Sequence, residues 1–411
     1  MPIDLPAIRR QFPILDRTID GHPLVYLDNA ATTQKPRSVL DAMTSYYETS
    51  NANAYRGMHI LAERATIALE DARKTVQQFL HAKQPEEIVF TKNCTEALNI
   101  VARGLGSALQ DGDAVVLSIL EHHSNIVPWL MLKEEKGFDL LWVDYDDRGQ
   151  LKMDQLEEFL RHGNVKLVSV TAQSNVLGVR PPLREIIRAA HRAGALVCID
   201  AAQAVAHEEI DMRELDGDFL AFSGHKLYGP TGIGVLYGKK TLLERLPPLL
   251  GGGMMIHEVH TDRYSVAEPP AKFEGGTQPV AEAVGLAAAI RWLSQFSWND
   301  IQSHEQSLLT HAHTLLSKIP GLRMLGHSPS PNPSPPYGCL SFVVDRVHPH
   351  DLTEVLGRRG ICLRAGHHCA QPLHRRLGIS ASTRVSVALY NTLTEMEIFL
   401  QELHAAVTRL S

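Results

Sequence analysis

An α/β architecture, with a mainly parallel sheet in a large domain and a smaller α+β domain beside it, is what this sequence predicts. Two observations carry that expectation. From about residue 65 to 290, helical patterns alternate with short apolar runs, as crossover units on a parallel sheet require. At 411 residues the chain also exceeds what one core organises, so two domains are expected. The large one is placed over residues 17–292 and the small one over residues 1–16 and 293–411. A hydrophobic fraction of 44% supports complete folding.

The apolar runs, taken as strands, are Glu87–Phe90, Ala114–Leu117, Leu140–Val143, Lys166–Thr171, Leu196–Ile199, Phe219–Phe222 and Gly234–Tyr237. Ligands on such sheets bind at the carboxyl ends of strands. Those positions hold Thr91–Thr95, Glu121–Asn125, Ser174-Asn175, Asp200–Gln203 and Ser223–Lys226. An Ala- and Leu-rich helix, about Val280–Phe296, follows Gly275-Gly276-Thr277 and leads out of the large domain. The small domain then reads as a helix over Gln302–Lys318, strands over Gly338–Val344 and Thr383–Ala388, and a last helix over Glu395–Arg409. Between them, the proline-rich Ser328–Pro336 can continue neither helix nor ladder and is expected to be a surface loop. No repeat of fixed period is present.

Composition excludes several classes of function. A net charge of −6 and a pI near 6.4 give no basic field for nucleic acid. No apolar run approaches a bilayer span, and the apolar residues of Met1–Leu15 are too scattered for a signal peptide. The expected compartment is cytoplasmic. The five cysteines, Cys94, Cys198, Cys339, Cys362 and Cys369, form no Cys-x-x-Cys pair and are odd in number, which argues for reduced thiols. Cys198, inside an apolar run, is expected to be buried and inert.

The chemistry concentrates at the strand ends. In Ser223-Gly224-His225-Lys226 a lysine follows an apolar run among small and hydroxyl residues; partly desolvated, its amine becomes a nucleophile for a carbonyl, and pyridoxal phosphate supplies one. Asp200 ends another apolar run and could hold a pyridinium nitrogen protonated, although a helix-capping Asp would look the same. Thr91–Asn99 opens a helix whose N–H groups, with the Thr95 hydroxyl, could cup a phosphate; equally, Thr95 with Glu96 could form a plain cap. His122-His123 offers an imidazole for stacking or proton transfer. Paired histidines also suggest a metal, but the Asp, Gln and Lys at the other strand ends make a poor zinc set, and none is expected. Asp200 followed at the next strand end by Ser223-x-His225-Lys226 points to a fold-type I pyridoxal phosphate enzyme.

Several longer runs sharpen this. Tyr26–Thr32, Glu121–Trp129, Ser174–Gly178, Asp200–Val205, Leu250–Met254, Phe273–Thr277, Arg364–Leu373 and Tyr390–Thr392, in this order, resemble the class V aminotransferase-like cysteine desulfurases, the group containing SufS, CsdA and the selenocysteine lyases. The resemblance implies that Lys226 bonds pyridoxal phosphate, that Asp200 pairs with the pyridine nitrogen, and that Gln203 reaches the ring hydroxyl. His122 is implied to stack on the ring, with His123 the alternative. Thr95, Ser223 and His225 fall in the phosphate-binding set, Cys94 joins the cofactor-binding residues, and Thr277 resembles a ligand contributed across a homodimer interface. Arg384, with Asn175 and Arg364, matches the substrate-carboxylate site, a bidentate task suited to guanidinium. Cys369, in a His-His-Cys loop, matches the sulfur-accepting nucleophile. Tyr55 in Tyr55-Arg56-Gly57 stands where the group commonly has His, and Cys94 where Thr is frequent.

The implied reaction converts L-cysteine to L-alanine, leaves a persulfide on Cys369, and passes the sulfur to a SufE-like or SufU-like acceptor for iron–sulfur cluster assembly or other sulfur metabolism. Selenocysteine lyase shares nearly all these residues and is the alternative. Transamination or racemisation would make Cys369 dispensable, and an idle scaffold would have no use for Lys226, Asp200, His122 and Cys369 together.

Overall fold

The structure, a computed structural model, describes residues 3–55, 57–146, 149–326 and 336–410. Seven strands form its main sheet: β1 (Ile88–Thr91), β2 (Ala114–Ser118), β3 (Asp139–Val143), β4 (Val165–Thr171), β5 (Leu196–Asp200), β6 (Phe219–Ser223) and β7 (Gly234–Gly238). They lie in the order β1-β7-β6-β5-β4-β2-β3. The β2/β3, β2/β4, β4/β5 and β5/β6 pairs are parallel, while β7 runs antiparallel to β1 and β6. The mainly parallel α/β sheet expected from the sequence is therefore present. From β2 the chain moves outward to β3 and returns on the other side of β2 as β4, and this reversal opens a crevice at the carboxyl ends of the strands.

Every residue of β2, β6 and β7 is buried, because helices cover both faces of the sheet. Successive side chains point to opposite faces: Val116, Val168, Val197 and Ile199 enter one apolar cluster, whereas Val115, Leu117, Leu167 and Cys198 enter the other. The covering helices are α1 (Arg37–Thr49), α2 (Ile60–Phe79), α3 (Cys94–Gly106), α4 (Val127–Lys136), α5 (Met153–His162), α6 (Leu183–Arg192) and α7 (Val280–Leu293). In α6 the buried residues are Ile186, Ile187, Ala189 and Ala190, a single stripe. α4 stops at Gly137, whose φ of +81° a glycine adopts without steric cost. α7 is apolar almost all round and packs against α1 and α2 as a core helix.

A second, antiparallel sheet comprises β8 (Leu322–Met324), β9 (Cys339–Val344), β10 (Arg364–Gly366) and β11 (Ser382–Ser386) in the order β8-β9-β11-β10. With it go α8 (Trp298–Leu316), α9 (Pro349–Gly357), α10 (Gln371–Arg376) and α11 (Leu393–Leu410). Leu308, Phe342, Leu352, Val385 and Phe399 fill its core, joined by Val25 and Leu27. The early segment reaches that core because Val25-Tyr26 pairs with Ile361-Cys362, and Asp28 bridges to Ser386.

Several boundaries differ from expectation for identifiable reasons. α8 begins at Trp298 because the Ser297 hydroxyl accepts the Asp300 N–H at 3.1 Å. α3 is capped by Asn93, which accepts the Glu96 N–H at 3.0 Å, and Thr95 is not the cap. β8 and β10 are three residues each, too short to leave a periodic signature. Residues 328–335 of the proline-rich stretch lie outside the described residues. Among the described residues, no helix is long and apolar enough to cross a membrane.

Candidate active site

At the end of β6 the chain makes a tight turn, Gly224–Lys226. The turn is tied down from the N-terminal segment: the Thr33 N–H and Lys35 Nζ both donate to the His225 carbonyl, at 3.0 and 3.1 Å. Beside it, Gly234 lets β7 approach the start of α3, since a Cβ there would stand 2.5 Å from Asn93 Cα. That approach brings the Cys94 N–H to the Ser223 hydroxyl at 2.9 Å. The amino end of α3 thereby sits against Lys226, with Thr95, Ser223 and His225 around it.

Burial lowers the pKa of Lys226, opposed by Asp200 and Cys94 and assisted by Arg384. Burial likewise brings His225 down to about 4, helped by Lys226 and Lys35. Asp200 ends β5 and is almost wholly enclosed; its Oδ1 accepts the Ala202 N–H at 3.0 Å and the Cys94 thiol at 3.4 Å. Oδ2 has no hydrogen-bond partner among the described residues. Desolvation raises the Asp200 pKa, against the Ala202 N–H and Lys226.

His122 follows β2. Its Nδ1 accepts the Ser124 N–H at 3.1 Å, which leaves Nε2 to carry the proton of the neutral ring. Burial brings its pKa down to about 3, with Lys226 adding to the effect. Behind it the fully buried Glu121 accepts from Asn125 Nδ2 at 2.7 Å and from the Thr171 N–H at 3.0 Å, joining the ends of β2 and β4. Desolvation raises Glu121 to about 8. Gln203 donates to the Ala30 carbonyl at 2.8 Å.

The second sheet supplies the other wall. Arg384 on β11 donates to the Asn175 carbonyl at 3.0 Å and to Asp28 at 3.4 Å, and its buried Nε has no partner. Arg364 on β10 contacts Asp28 at 2.6 Å. Cys369 is exposed, in the loop between β10 and α10. It and His368 have φ of +55° and +51°, a conformation that persists in non-glycine residues only where the surroundings impose it. They do so here: the His123 N–H donates to the Cys369 carbonyl at 2.7 Å, Asn175 Nδ2 to the His368 carbonyl at 2.7 Å, and His368 Nε2 lies 2.9 Å from the Ser382 hydroxyl.

Cys94, Thr95, His122, Asn175, Asp200, Gln203, Ser223, His225, Lys226, Arg364, Cys369 and Arg384 thus line one cavity of about 360 Å³. Thr277 does not; it is exposed in the loop before α7. His123 lies outside the cavity and buttresses the Cys369 loop, its Nε2 accepting the Gln371 N–H at 3.1 Å. Arg56 lies outside the described residues. Asp28, Glu121 and His368 fall in runs noted in the sequence but are given no role there, because their hydrogen-bond partners show only in the fold.

The aminotransferase class-V family matches residues 25–399. The chain belongs to that family. A relative described as a probable cysteine desulfurase from Streptomyces coelicolor is 47% identical over 98% of this chain and 96% of its own length. Another, from Vibrio cholerae and described in the same words, is 43% identical over the full length of both. Among solved structures, the cysteine desulfurase CsdA (S-sulfonic acid) from Escherichia coli superposes with a TM-score of 0.90 at 39% identity, covering all of both chains. A cysteine desulfurase from Thermococcus onnurineus reaches 0.93 at 39%, covering 100% of this chain and 99% of its own. The α/β fold of this class V member is therefore one it shares with cysteine desulfurases.

Proposed function

We propose that the protein is a pyridoxal-phosphate-dependent cysteine desulfurase that carries sulfur on Cys369. The observation behind this reading is a single cavity that holds a partly desolvated lysine, a buried Asp and a neutral imidazole together with an exposed cysteine and a buried arginine. The donor set suits the cofactor. Asp200 keeps one oxygen free of protein partners, and the amino end of α3, with Thr95, Ser223 and His225, suits a phosphate. Pyridoxal phosphate, when bound, supplies an aldehyde for Lys226 and a ring that withdraws electrons.

The chain's own residues do the rest. With the cofactor bound, Asp200 would accept a hydrogen bond from the ring N–H, and Gln203 would serve the ring hydroxyl. Arg384, Arg364 and Asn175 orient the carboxylate of L-cysteine. Lys226 Nζ, its basicity lowered by burial, would remove the α-proton, and neutral His122 would lie over the ring and move protons without itself being charged. The Cys369 thiolate attacks the substrate sulfur; an S–S bond forms as the carbon–sulfur bond breaks, and the bonding electrons return to carbon. Protonation yields L-alanine, and a SufE-like or SufU-like protein takes the sulfur from the Cys369 persulfide.

A homodimer accords with the exposed apolar residues Tyr47, Tyr55, Met58, Ile60 and Ile67 on and between α1 and α2, residues of a kind that interfaces cover. It would bring the exposed Thr277 into a neighbouring site. A cytoplasmic location fits five free thiols, and a role in the SUF pathway rests on the likeness to cysteine desulfurases alone.

The test is to incubate the purified yellow protein with L-cysteine and a reductant. Equal amounts of L-alanine and sulfide are expected from the wild type and neither from Lys226→Ala. A colourless protein, or alanine without sulfide, would contradict the reading. Selenide release from L-selenocysteine far exceeding sulfide release would favour the lyase.

A further inference from the structure

We propose that Asp28 is the positioning residue of the substrate clamp: its carboxylate aims Arg364 across the mouth of the cavity, toward the site where Arg384 is already held. The inference rests on the reading that these arginines receive the substrate carboxylate. Asp28 Oδ2 lies 2.6 Å from Arg364 Nη2, and Oδ1 lies 3.4 Å from both Arg364 Nε and Arg384 Nη2. One carboxylate thus touches two guanidinium groups that come from adjacent strands, β10 and β11.

Asp28 is itself rigidly placed. The Leu27 N–H donates to the Cys362 carbonyl at 3.0 Å, and the Ser386 N–H donates to the Leu27 carbonyl at 2.7 Å. Two residues on, the Ala30 N–H donates to the Ser386 hydroxyl at 2.9 Å. These bonds fix the segment to both neighbouring strands, so the carboxylate is a fixed point and the arginines orient to it.

The two arginines depend on it unequally. Arg384 is 3% exposed and also holds the Asn175 carbonyl, so it keeps its place without Asp28. Arg364 has a side chain 50% exposed, and Asp28 is its ion-pair partner. Without that carboxylate the long side chain regains its rotamer freedom, and substrate must order it anew. Loss of Asp28 also removes a like charge from the substrate's path, which would favour binding, but at a half-exposed mouth solvent screens that gain. The ordering cost decides the sign, and it corresponds to roughly a 2- to 10-fold weakening.

The experiment is a double-mutant cycle on the cofactor-loaded enzyme, measuring KM and kcat for L-cysteine in the wild type, Asp28→Asn, Arg364→Ala, the double variant and Arg384→Lys. Asp28→Asn is expected to raise KM about fivefold, in the middle of that range, and to alter kcat less. The double variant is expected to match Arg364→Ala alone, since a residue that acts through Arg364 has nothing left to position. Thermal unfolding of each variant separates this from a fold defect, which would lower the midpoint without splitting KM from kcat. A normal KM in Asp28→Asn beside a raised KM in Arg384→Lys, or additive effects in the cycle, would overturn the role of Asp28 alone. A normal KM in Arg384→Lys would overturn the carboxylate clamp itself, and the inference with it.

Discussion

Burial leaves His122 and His225 uncharged, and this has a sign in pH. Their pKa values fall from 6.5 to about 3 and about 4, so below pH 6.5 the unfolded chain takes up protons that the folded chain refuses. The stability these groups contribute is present above 6.5 and is lost as pH falls toward 4 and then 3. Denaturant midpoints measured from pH 7 to 4 should fall, and His122→Gln should fall less steeply; an identical slope would contradict the assignment. The strand-end positions of Lys226 and Asp200 were legible in the sequence, and that of Cys369 through the family-like run around it, although a capping Asp or a bystander thiol looks the same in isolation. Asp28 was not, since its work lies in two arginines at the other end of the chain. Thr95 and Asn93 are both capping types, and only the coordinates separate the helix cap from its second residue.

Among the elements, the loop before α7 is anchored by a buried pair. Arg73 on α2 meets Glu274 through two bonds, at 2.6 and 2.9 Å, and the same carboxylate accepts the Phe90 N–H of β1 at 2.7 Å. Removing Glu274 leaves buried Arg73, among the described residues, only the half-exposed Glu70, at 3.2 Å, as a carboxylate partner, so Glu274→Ala should destabilise the protein by about 3 kcal/mol, whereas replacing both residues with apolar ones of similar volume should cost much less. Denaturant unfolding of the single and double variants checks this; equal losses would refute it. The core strands were readable because they are continuous apolar runs buried on both faces. The antiparallel direction of β7 was not, because a strand's pattern carries no direction, and the short β8 and β10 exist only through pairing with β9 and β11.

At the scale of the molecule, the proposed reaction draws on both sheets at once. The crevice at the carboxyl ends of the main sheet supplies Lys226, Asp200 and His122, while the second sheet and its loop supply Arg384, Arg364 and Cys369. Light scattering should report a dimer, and charging the exposed apolar patch with Met58→Asp should weaken it; an unaltered monomer in both would contradict the interface. The most direct test of the account treats the loaded enzyme with L-cysteine in the absence of reductant and maps the added mass on its peptides. One extra sulfur atom is expected on the peptide containing Cys369, and none in Cys369→Ala, whose cofactor absorbance still responds to cysteine. Sulfur found on another residue, or undiminished sulfide release by Cys369→Ala, would contradict it.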